Sequence, residues 1–319
     1  MKSTLSRIAT ILVLCASQAL MAQTYPVKPI RIVVPFPPGG ANDIVARILG
    51  AKLQESWGQP VVVDNKPGAN SILGNEFVAR SPPDGHTLLV NSIGGMSINP
   101  LLYQKLPYDG QKAFAPVSLL VEIPMVLGVS VAVPAGSLRE FIAYARANPG
   151  KLNNSAGSTT SQVAAEMFKE MTGVRIAAIP YKGSAQAVQA VLAGDAHMVL
   201  VDNPAILPHI RAGRVKALAV AWPKRLATIP DVPTFAQAGL PEYEMGGWLG
   251  LFAPAGTPAP IISRLQVEMA RLLNLPDTRE KLGSAIEIVA SSPEQLAATV
   301  RGDALRYAPV IKSANMKLE

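Results

Sequence analysis

Two loops of the sequence combine residues that can hold an anion without a charged side chain. The first runs from Phe36 through Gly39 and Gly40 to Asp43, where a β-branched strand pattern gives way to a helical one. Glycine lets backbone N–H groups point into the space beyond the strand, and the helix N-terminus adds positive potential there. The loop therefore predicts a carboxylate site, while a tight turn with Asp43 as a plain first-turn acid is the alternative. Asn42 is placed to cap the helix.

The second loop repeats this design and is richer in hydroxyl groups. It also lies between a strand pattern and a helix pattern, and its residues are Gly157, Ser158, Thr159, Thr160, Ser161 and Gln162. A helix cap needs only one hydroxyl, so the excess favours contact with a ligand. The alternative is an over-supplied helix cap, in which the capping hydroxyl is expected at Ser161 or Thr160.

Polar residues also follow other predicted strands. Asn91 and Ser92 end the strand pattern that begins at Thr87, and Asp202 follows the apolar run that ends at Val201. Ligands of open α/β sheets bind at the carboxyl ends of the strands. We therefore expect these three residues to lie at the same site as the two loops.

Motifs for catalysis or for a metal are absent from the sequence. There is no Gly-x-Ser-x-Gly elbow, no His-Glu-x-x-His, no phosphate loop and no dinucleotide fingerprint. The three histidines, His86, His197 and His209, have no acid or second histidine at a ligand spacing. We expect no catalytic residue, no metal and no cofactor.

The charge pattern argues against nucleic acid as a partner. The formal charge is +7 and the basic residues are scattered singly, with aromatic residues at only 5%. A nucleic-acid groove requires clustered Lys and Arg, often between aromatic residues. The charge is therefore interpreted as solvated surface.

The first 22 residues have the pattern of a secretory signal. Lys2 and Arg7 are followed by an apolar stretch from Ile8 that ends in small residues at Ala22. The apolar stretch is shorter than the roughly 20 residues that a bilayer requires. A buried first helix is the alternative. Cys15, which Leu14 precedes, is the only cysteine in the sequence, so a soluble mature chain in the periplasm would contain none.

The remaining chain alternates short β-branched runs with helical periods, which is typical of parallel strands covered by helices. This predicts an α/β fold of two lobes. Two extended apolar stretches, Met125 to Val133 and Gly246 to Ala253, are predicted to connect the lobes, and two such connections form a hinge. The predicted limits are residues 1–22 for the signal, 23–124 with 248–319 for a discontinuous first lobe, and 125–247 for the second.

Several segments together resemble the Bug family of extracytoplasmic solute receptors, in the family's order and from about Tyr25 to Ile311. The segments that carry the resemblance are Pro35 to Asp43, Asn65 to Ala69, Pro83 to Leu88, Ile98 to Tyr103, Pro180 to Ser184, Leu207 to Gly213 and Phe252 to Pro258.

The resemblance implies a type II periplasmic binding protein fold with a ligand cleft between the lobes. It also implies a receptor that delivers a small carboxylate to the inner-membrane subunits of a tripartite tricarboxylate transporter. In the family, main-chain amides, hydroxyls and water from loops equivalent to Phe36–Asp43 and Gly157–Gln162 hold a carboxyl group. Gln162 stands where histidine is usual, and Thr159 stands where glycine is usual.

Two other functions remain open on the sequence alone. A ligand sensor that docks on a membrane signalling protein would use the same cleft, and a periplasmic hydrolase would need a nucleophile with a base. A monomer is expected.

Overall fold

The computed structural model describes residues 25–318, whose strands form one ten-stranded sheet. The predicted signal segment, residues 1–22, lies outside the described part of the chain. The strands are β1 (Ile30–Val34), β2 (Val61–Asn65), β3 (Thr87–Ser92), β4 (Phe114–Ser130), β5 (Leu152–Ala156), β6 (Ile176–Pro180), β7 (Met198–Asp202), β8 (Val215–Ala221), β9 (Gly246–Pro254) and β10 (Glu287–Ile288).

Helices follow most of these strands, as the alternating pattern predicts. The α-helices are α1 (Ala41–Trp57), α2 (Ile72–Ala79), α3 (Asn99–Leu102), α4 (Leu138–Ala147), α5 (Thr159–Thr172), α6 (Ser184–Ala193), α7 (Asn203–Arg211), α8 (Ala259–Leu273), α9 (Pro276–Leu282) and α10 (Pro293–Ser313). A turn of π-helix, Gly94–Ile98, connects β3 to α3.

The sheet consists of two halves that share β4. Along its main path the strands are ordered β2, β1, β3, β9, β4, β7, β5 and β6, while β8 and β10 also pair with β4. The strands β1, β2 and β3 are parallel to one another, as are β5, β6 and β7. We call the half with β1, β2, β3, β9 and residues 114–124 of β4 the first lobe. The half with β5 to β8 and residues 125–130 of β4 is the second lobe.

Strand β4 runs without interruption from one lobe into the other. Its residues 114–124 pair with β9, and from Met125 onward it pairs with β7 and β8. Pro124 stands where the partners change, and proline has no N–H group to donate to a ladder. The sequence predicted that Met125 to Val133 forms an extended connection here. The structure has one strand, because buried apolar residues continue through the position of Pro124.

The second connection between the lobes precedes the stretch that the sequence predicted for it. Strand β9 pairs along its whole length with residues 114–124, so it belongs to the first lobe. The chain returns between the end of β8 and Gly246. The limits of the two lobes remain a prediction. The change of the strand partners of β4 at Met125 supports them.

Apolar packing holds the elements of each lobe and also joins the lobes. One buried cluster includes Ile32 and Leu265 of the first lobe, and another includes Val188 and Val199 of the second. A third cluster contains Leu89 from the first lobe together with Phe168 from the second. The lobes therefore share buried apolar contacts beside the crossing strand.

The start of α1 differs from the prediction. Gly40, with an extended backbone, occupies the N-cap position, and Asn42 lies inside the first turn. Gly40 adopts the N-cap conformation and its carbonyl oxygen accepts from the backbone N–H groups of Asp43 and Ile44. The prediction that Asn42 caps this helix is wrong.

Candidate ligand cavity

A cavity of about 180 Å³ lies between the carboxyl ends of the strands of the two lobes. This volume suits a small solute, since sites for drug-sized ligands measure roughly 300–1,000 Å³. The lining residues are Phe36, Pro37, Pro38, Gly40, Ala41, Asn42, Ser92, Ile93, Ile123, Met125, Gly157, Ser158, Thr160, Ser161, Gly183, Ser184, Ala185, Gln186, Val201, Asp202, Gly247, Trp248 and Leu249.

Three helix N-termini from the two lobes reach this cavity. The first turns of α1, α5 and α6 contribute residues 41–42, 160–161 and 184–186 to its wall. The first N–H groups of a helix have no partner within the helix, and the helix dipole makes that end positive. Three such ends around one small space favour an anionic ligand.

The wall contains no cationic side chain among the residues that the structure describes. No Lys, Arg or His lines the cavity, and Asp202 is the single ionisable residue among the described residues of its wall. Within residues 25–318, no group of three or more His, Cys, Asp and Glu is placed to hold a metal ion. An anion bound here would be held by backbone amides, hydroxyls and side-chain amides.

In the first loop, Asp43 organises the backbone and does not line the cavity. The residue is 4% exposed, and its carboxylate accepts hydrogen bonds from Gly39 N at 3.1 Å, Arg47 Nε at 2.9 Å and Asn65 Nδ2 at 3.0 Å. Burial acts to raise the pKa of this carboxyl, but these hydrogen bonds together lower it below its usual value. Asp43 therefore fixes Gly39, which itself does not line the cavity, beside Gly40, which does.

The adjacent Asn42, which the sequence predicted to cap α1, instead places its side-chain amide at the cavity. It lines the cavity, and its Nδ2 atom is buried without a hydrogen-bond partner among the described residues. Such a donor is costly to leave unpaired unless a ligand or water meets it.

In the second loop, two hydroxyls pair with each other and cap α5. Ser158 Oγ accepts from Ser161 N at 3.2 Å, and Ser158 N donates to Ser161 Oγ at 3.0 Å. This reciprocal pair is a capping box, and both residues also line the cavity. The cap expected at Ser161 or Thr160 therefore belongs to Ser158, because Ser158 has the extended backbone that an N-cap requires.

The two threonines of this loop have different surroundings. Thr159 Oγ1 donates to Asn99 Oδ1 of the first lobe at 2.9 Å, and Thr159 does not line the cavity. Thr160 lines the cavity, and its hydroxyl oxygen lies toward Gly94, 2.7 Å from where a side-chain carbon of that glycine would be. Gln162 lies outside the lining.

At the end of β3, only one of the two predicted residues, Asn91 and Ser92, lines the cavity. Asn91 is fully buried, and its Nδ2 donates to Asn75 Oδ1 at 2.6 Å, away from the cavity. Its Oδ1 accepts from Ser92 N at 2.7 Å. Ser92 lines the cavity. Asn91 thus holds the backbone of its neighbour.

A third loop, Gly183–Gln186, lines the cavity and was not among the predicted site residues. It packs directly on the second loop: a side-chain carbon added to Gly157 would lie 2.5 Å from Gly183 C and O. It also closes the space toward the first lobe, since the Pro37 ring lies 3.6 Å from where a side-chain carbon of Gly183 would be. The sequence pattern that could have identified this loop is a strand pattern followed by glycine and a helix pattern. The two predicted loops have the same pattern.

Of the thirteen predicted site residues, the structure brings eight into the cavity wall. These are Phe36, Gly40, Ser92, Gly157, Ser158, Thr160, Ser161 and Asp202, whereas Gly39, Asp43, Asn91, Thr159 and Gln162 are not part of the wall. The apolar part of the wall, which includes Ile123, Met125 and Trp248, comes from the crossing strand and β9 and was not predicted.

Comparison with known proteins decides the family. Residues 45–316 match the tripartite tricarboxylate transporter family receptor, TctC. The chain belongs to the TctC family. A curated TctC relative, Protein BugT from Bordetella pertussis, is 36% identical over 303 residues, which are 93% of each chain. The resemblance to the Bug family is confirmed.

Solved structures confirm the fold class. The structure described as R. palustris Rpa4515 with adipate has 34% sequence identity and a TM-score of 0.88, covering 92% of this chain and 99% of the other. MatC (Rpa3494) from Rhodopseudomonas palustris with bound malate has 34% identity and a TM-score of 0.85, covering 90% of this chain and all of the other. The structure described as periplasmic binding protein BugD has 33% identity and a TM-score of 0.86, covering 92% of this chain and all of the other, so this TctC chain has the α/β, two-lobe fold of periplasmic binding proteins. Among residues 25–318, no helix has both the length and the apolar content of a bilayer span.

Proposed function

We propose that this chain captures a small carboxylate in the periplasm and delivers it to the inner-membrane subunits of a tripartite tricarboxylate transporter. The observation that carries the proposal is the meeting of three helix N-termini around a small cavity with no cationic side chain among its described lining residues. The adipate and malate in the two structural relatives, both dicarboxylates, support the ligand class. Binding without turnover is part of the proposal, since the family whose model matches this chain is described as a receptor.

The ligand class is tested by thermal unfolding of the mature protein with di- and tricarboxylates, aromatic acids and acidic amino acids. A ligand at 100 times its dissociation constant stabilises the folded state by about 2.7 kcal/mol. We expect at least one acid to raise the unfolding temperature. Stabilisation by neutral sugars or amines alone would contradict the proposal.

Thr160→Val is expected to weaken carboxylate binding while stability changes little. The substitution removes the hydroxyl of this cavity-lining residue and keeps the branched shape, so the loss in binding free energy should be about 1–3 kcal/mol for a hydrogen bond to a charged group. Titration calorimetry measures it, and Thr160→Ser, which keeps the hydroxyl, is the control.

Ser158→Ala should behave differently, because Ser158 caps α5. It is expected to lower the free energy of unfolding by about 1 kcal/mol.

If Thr160→Val binds carboxylates as tightly as the parent protein does, the Thr160 hydroxyl does not contact the ligand.

We also propose that the lobes close around the ligand by bending at the two connections. The hydrogen bond from Thr159 to Asn99 joins the lobes in this structure and supports its interpretation as the closed form. Small-angle scattering should show a larger radius of gyration without ligand than the roughly 19 Å that size scaling gives for the closed chain. An identical profile with and without ligand would contradict closure.

Export is proposed from the pattern of the first 22 residues. The mass of the protein recovered from the periplasm should correspond to cleavage at or near Ala22. A lipid-modified Cys15 at the N-terminus of the recovered protein would contradict this route.

A further inference from the structure

Asp202 is the one ionisable residue in the described cavity wall, and nothing in that wall neutralises it. It lies at the carboxyl end of β7, in the N-cap position of α7. Its Oδ1 atom accepts a hydrogen bond from the hydroxyl of Ser184, which lines the cavity as well. The residue is therefore held in one orientation by a neighbour on the third loop.

The second carboxylate oxygen of Asp202 has no partner. Oδ2 is buried, and none of the described residues forms a hydrogen bond with it. Burial raises the pKa of this carboxyl, against the hydrogen bond from Ser184 and the weaker influence of the backbone N–H groups of Asp202 and Ala205, which lower it. A buried acceptor without a partner is unfavourable, and the cost is larger for a charged group.

We infer that the carboxylate bound in this cavity also carries a hydrogen-bond donor, a hydroxyl or a protonated amine, which Asp202 Oδ2 accepts. The inference rests on the proposed function, because it assumes that the helix N-termini hold the carboxylate. It adds that Asp202 selects among carboxylates of one carbon skeleton.

The charges in the cavity explain why an unsubstituted acid is the poorer ligand. Two carboxylates within one small space repel each other, and here no described Lys, Arg or His stands in the wall to offset the repulsion. A donor on the ligand turns the same carboxylate into a partner. A protonated amine would gain more than a hydroxyl, because both members of the hydrogen bond are then charged.

Matched series of acids test the inference by titration calorimetry on the mature protein. Each series changes one substituent beside a carboxyl group: propionate, L-lactate and L-alanine; succinate, L-malate and L-aspartate; glutarate, L-2-hydroxyglutarate and L-glutamate. In the series whose length fits, a donor-bearing acid should bind at least about tenfold more tightly than its unsubstituted parent. If the hydroxy acid binds most tightly, the donor is a hydroxyl. If the amino acid binds most tightly, the donor is a protonated amine.

Asp202→Asn should reduce this preference to about threefold or less, by weakening the donor-bearing acid and sparing or strengthening the unsubstituted one. Asparagine is also a good N-cap residue, so α7 should remain intact. Asp195→Asn, at an exposed aspartate of the second lobe outside the cavity, is the matched control and should leave the ranking unchanged.

The possible outcomes separate the inference from the proposed function. Equal or tighter binding of the unsubstituted acids, or an unchanged preference in Asp202→Asn, would overturn the inference and leave carboxylate capture standing. If Asp202→Asn does not fold, the order of affinities of the acids for the parent protein tests the inference. No binding by any of the nine acids would count against both.

Discussion

Replacing Gly157 by alanine should lower ligand affinity more than tenfold and destabilise the fold by about 1–3 kcal/mol. An added side-chain carbon would lie 2.5 Å from Gly183 C and O and 2.7 Å from Ser184 N. These are backbone atoms, which cannot rotate away, so the second and third loops must separate. Because both loops line the cavity, the donors of α5 and α6 would then no longer converge on one ligand.

Calorimetric titration and denaturant unfolding measure the two effects of Gly157→Ala. The control is Gly302→Ala, where nothing lies within 4 Å of the added carbon and the site is inside α10. Alanine there should stabilise the protein by up to about 1 kcal/mol through helix propensity and leave affinity unchanged. Parent-like affinity in Gly157→Ala would show that the contact between the loops does not shape the site.

Asp43→Ala is expected to cost about 1–3 kcal/mol in the free energy of unfolding. The substitution leaves Gly39 N without its acceptor and removes a partner from both Arg47 and Asn65. Ligand affinity should fall as well, because the backbone of Gly39 and Gly40 would lose the group that fixes it. Asp195→Ala, at an exposed aspartate outside the cavity, should change stability and affinity little.

The contribution of Asp43 should also depend on pH in a defined direction. Its pKa in the folded protein is lowered, so its carboxylate stabilises the fold above the unfolded pKa of roughly 3.9. That contribution is lost as the pH falls below about 4 and through the lower folded pKa. Denaturant unfolding at pH 3 to 6 should show a shallower loss for Asp43→Asn than for the parent protein. Parallel pH profiles would contradict this role.

The sequence by itself determined the elements and their class. Short β-branched runs alternate with helical periods in the sequence, and strands alternate with helices in the structure. Apolar periodicity is a local signal, so it can be read without knowing what packs on each element. The sequence also located both predicted anion loops, because a strand pattern, glycine and a helix pattern follow one another within a few residues.

Only the tertiary structure decided which residues of those loops face the cavity. Thr159 and Thr160 are neighbours of similar chemistry, yet one contacts Asn99 of the other lobe and the other lines the cavity. The carboxylate of Asp43 accepts hydrogen bonds from Arg47 and Asn65, and the side-chain amide of Asn91 donates to Asn75. The crossing of β4 at Pro124 and the third loop at Gly183 likewise depend on partners far away in the chain. A side chain's direction is set by contacts across the fold, and no local pattern encodes those contacts.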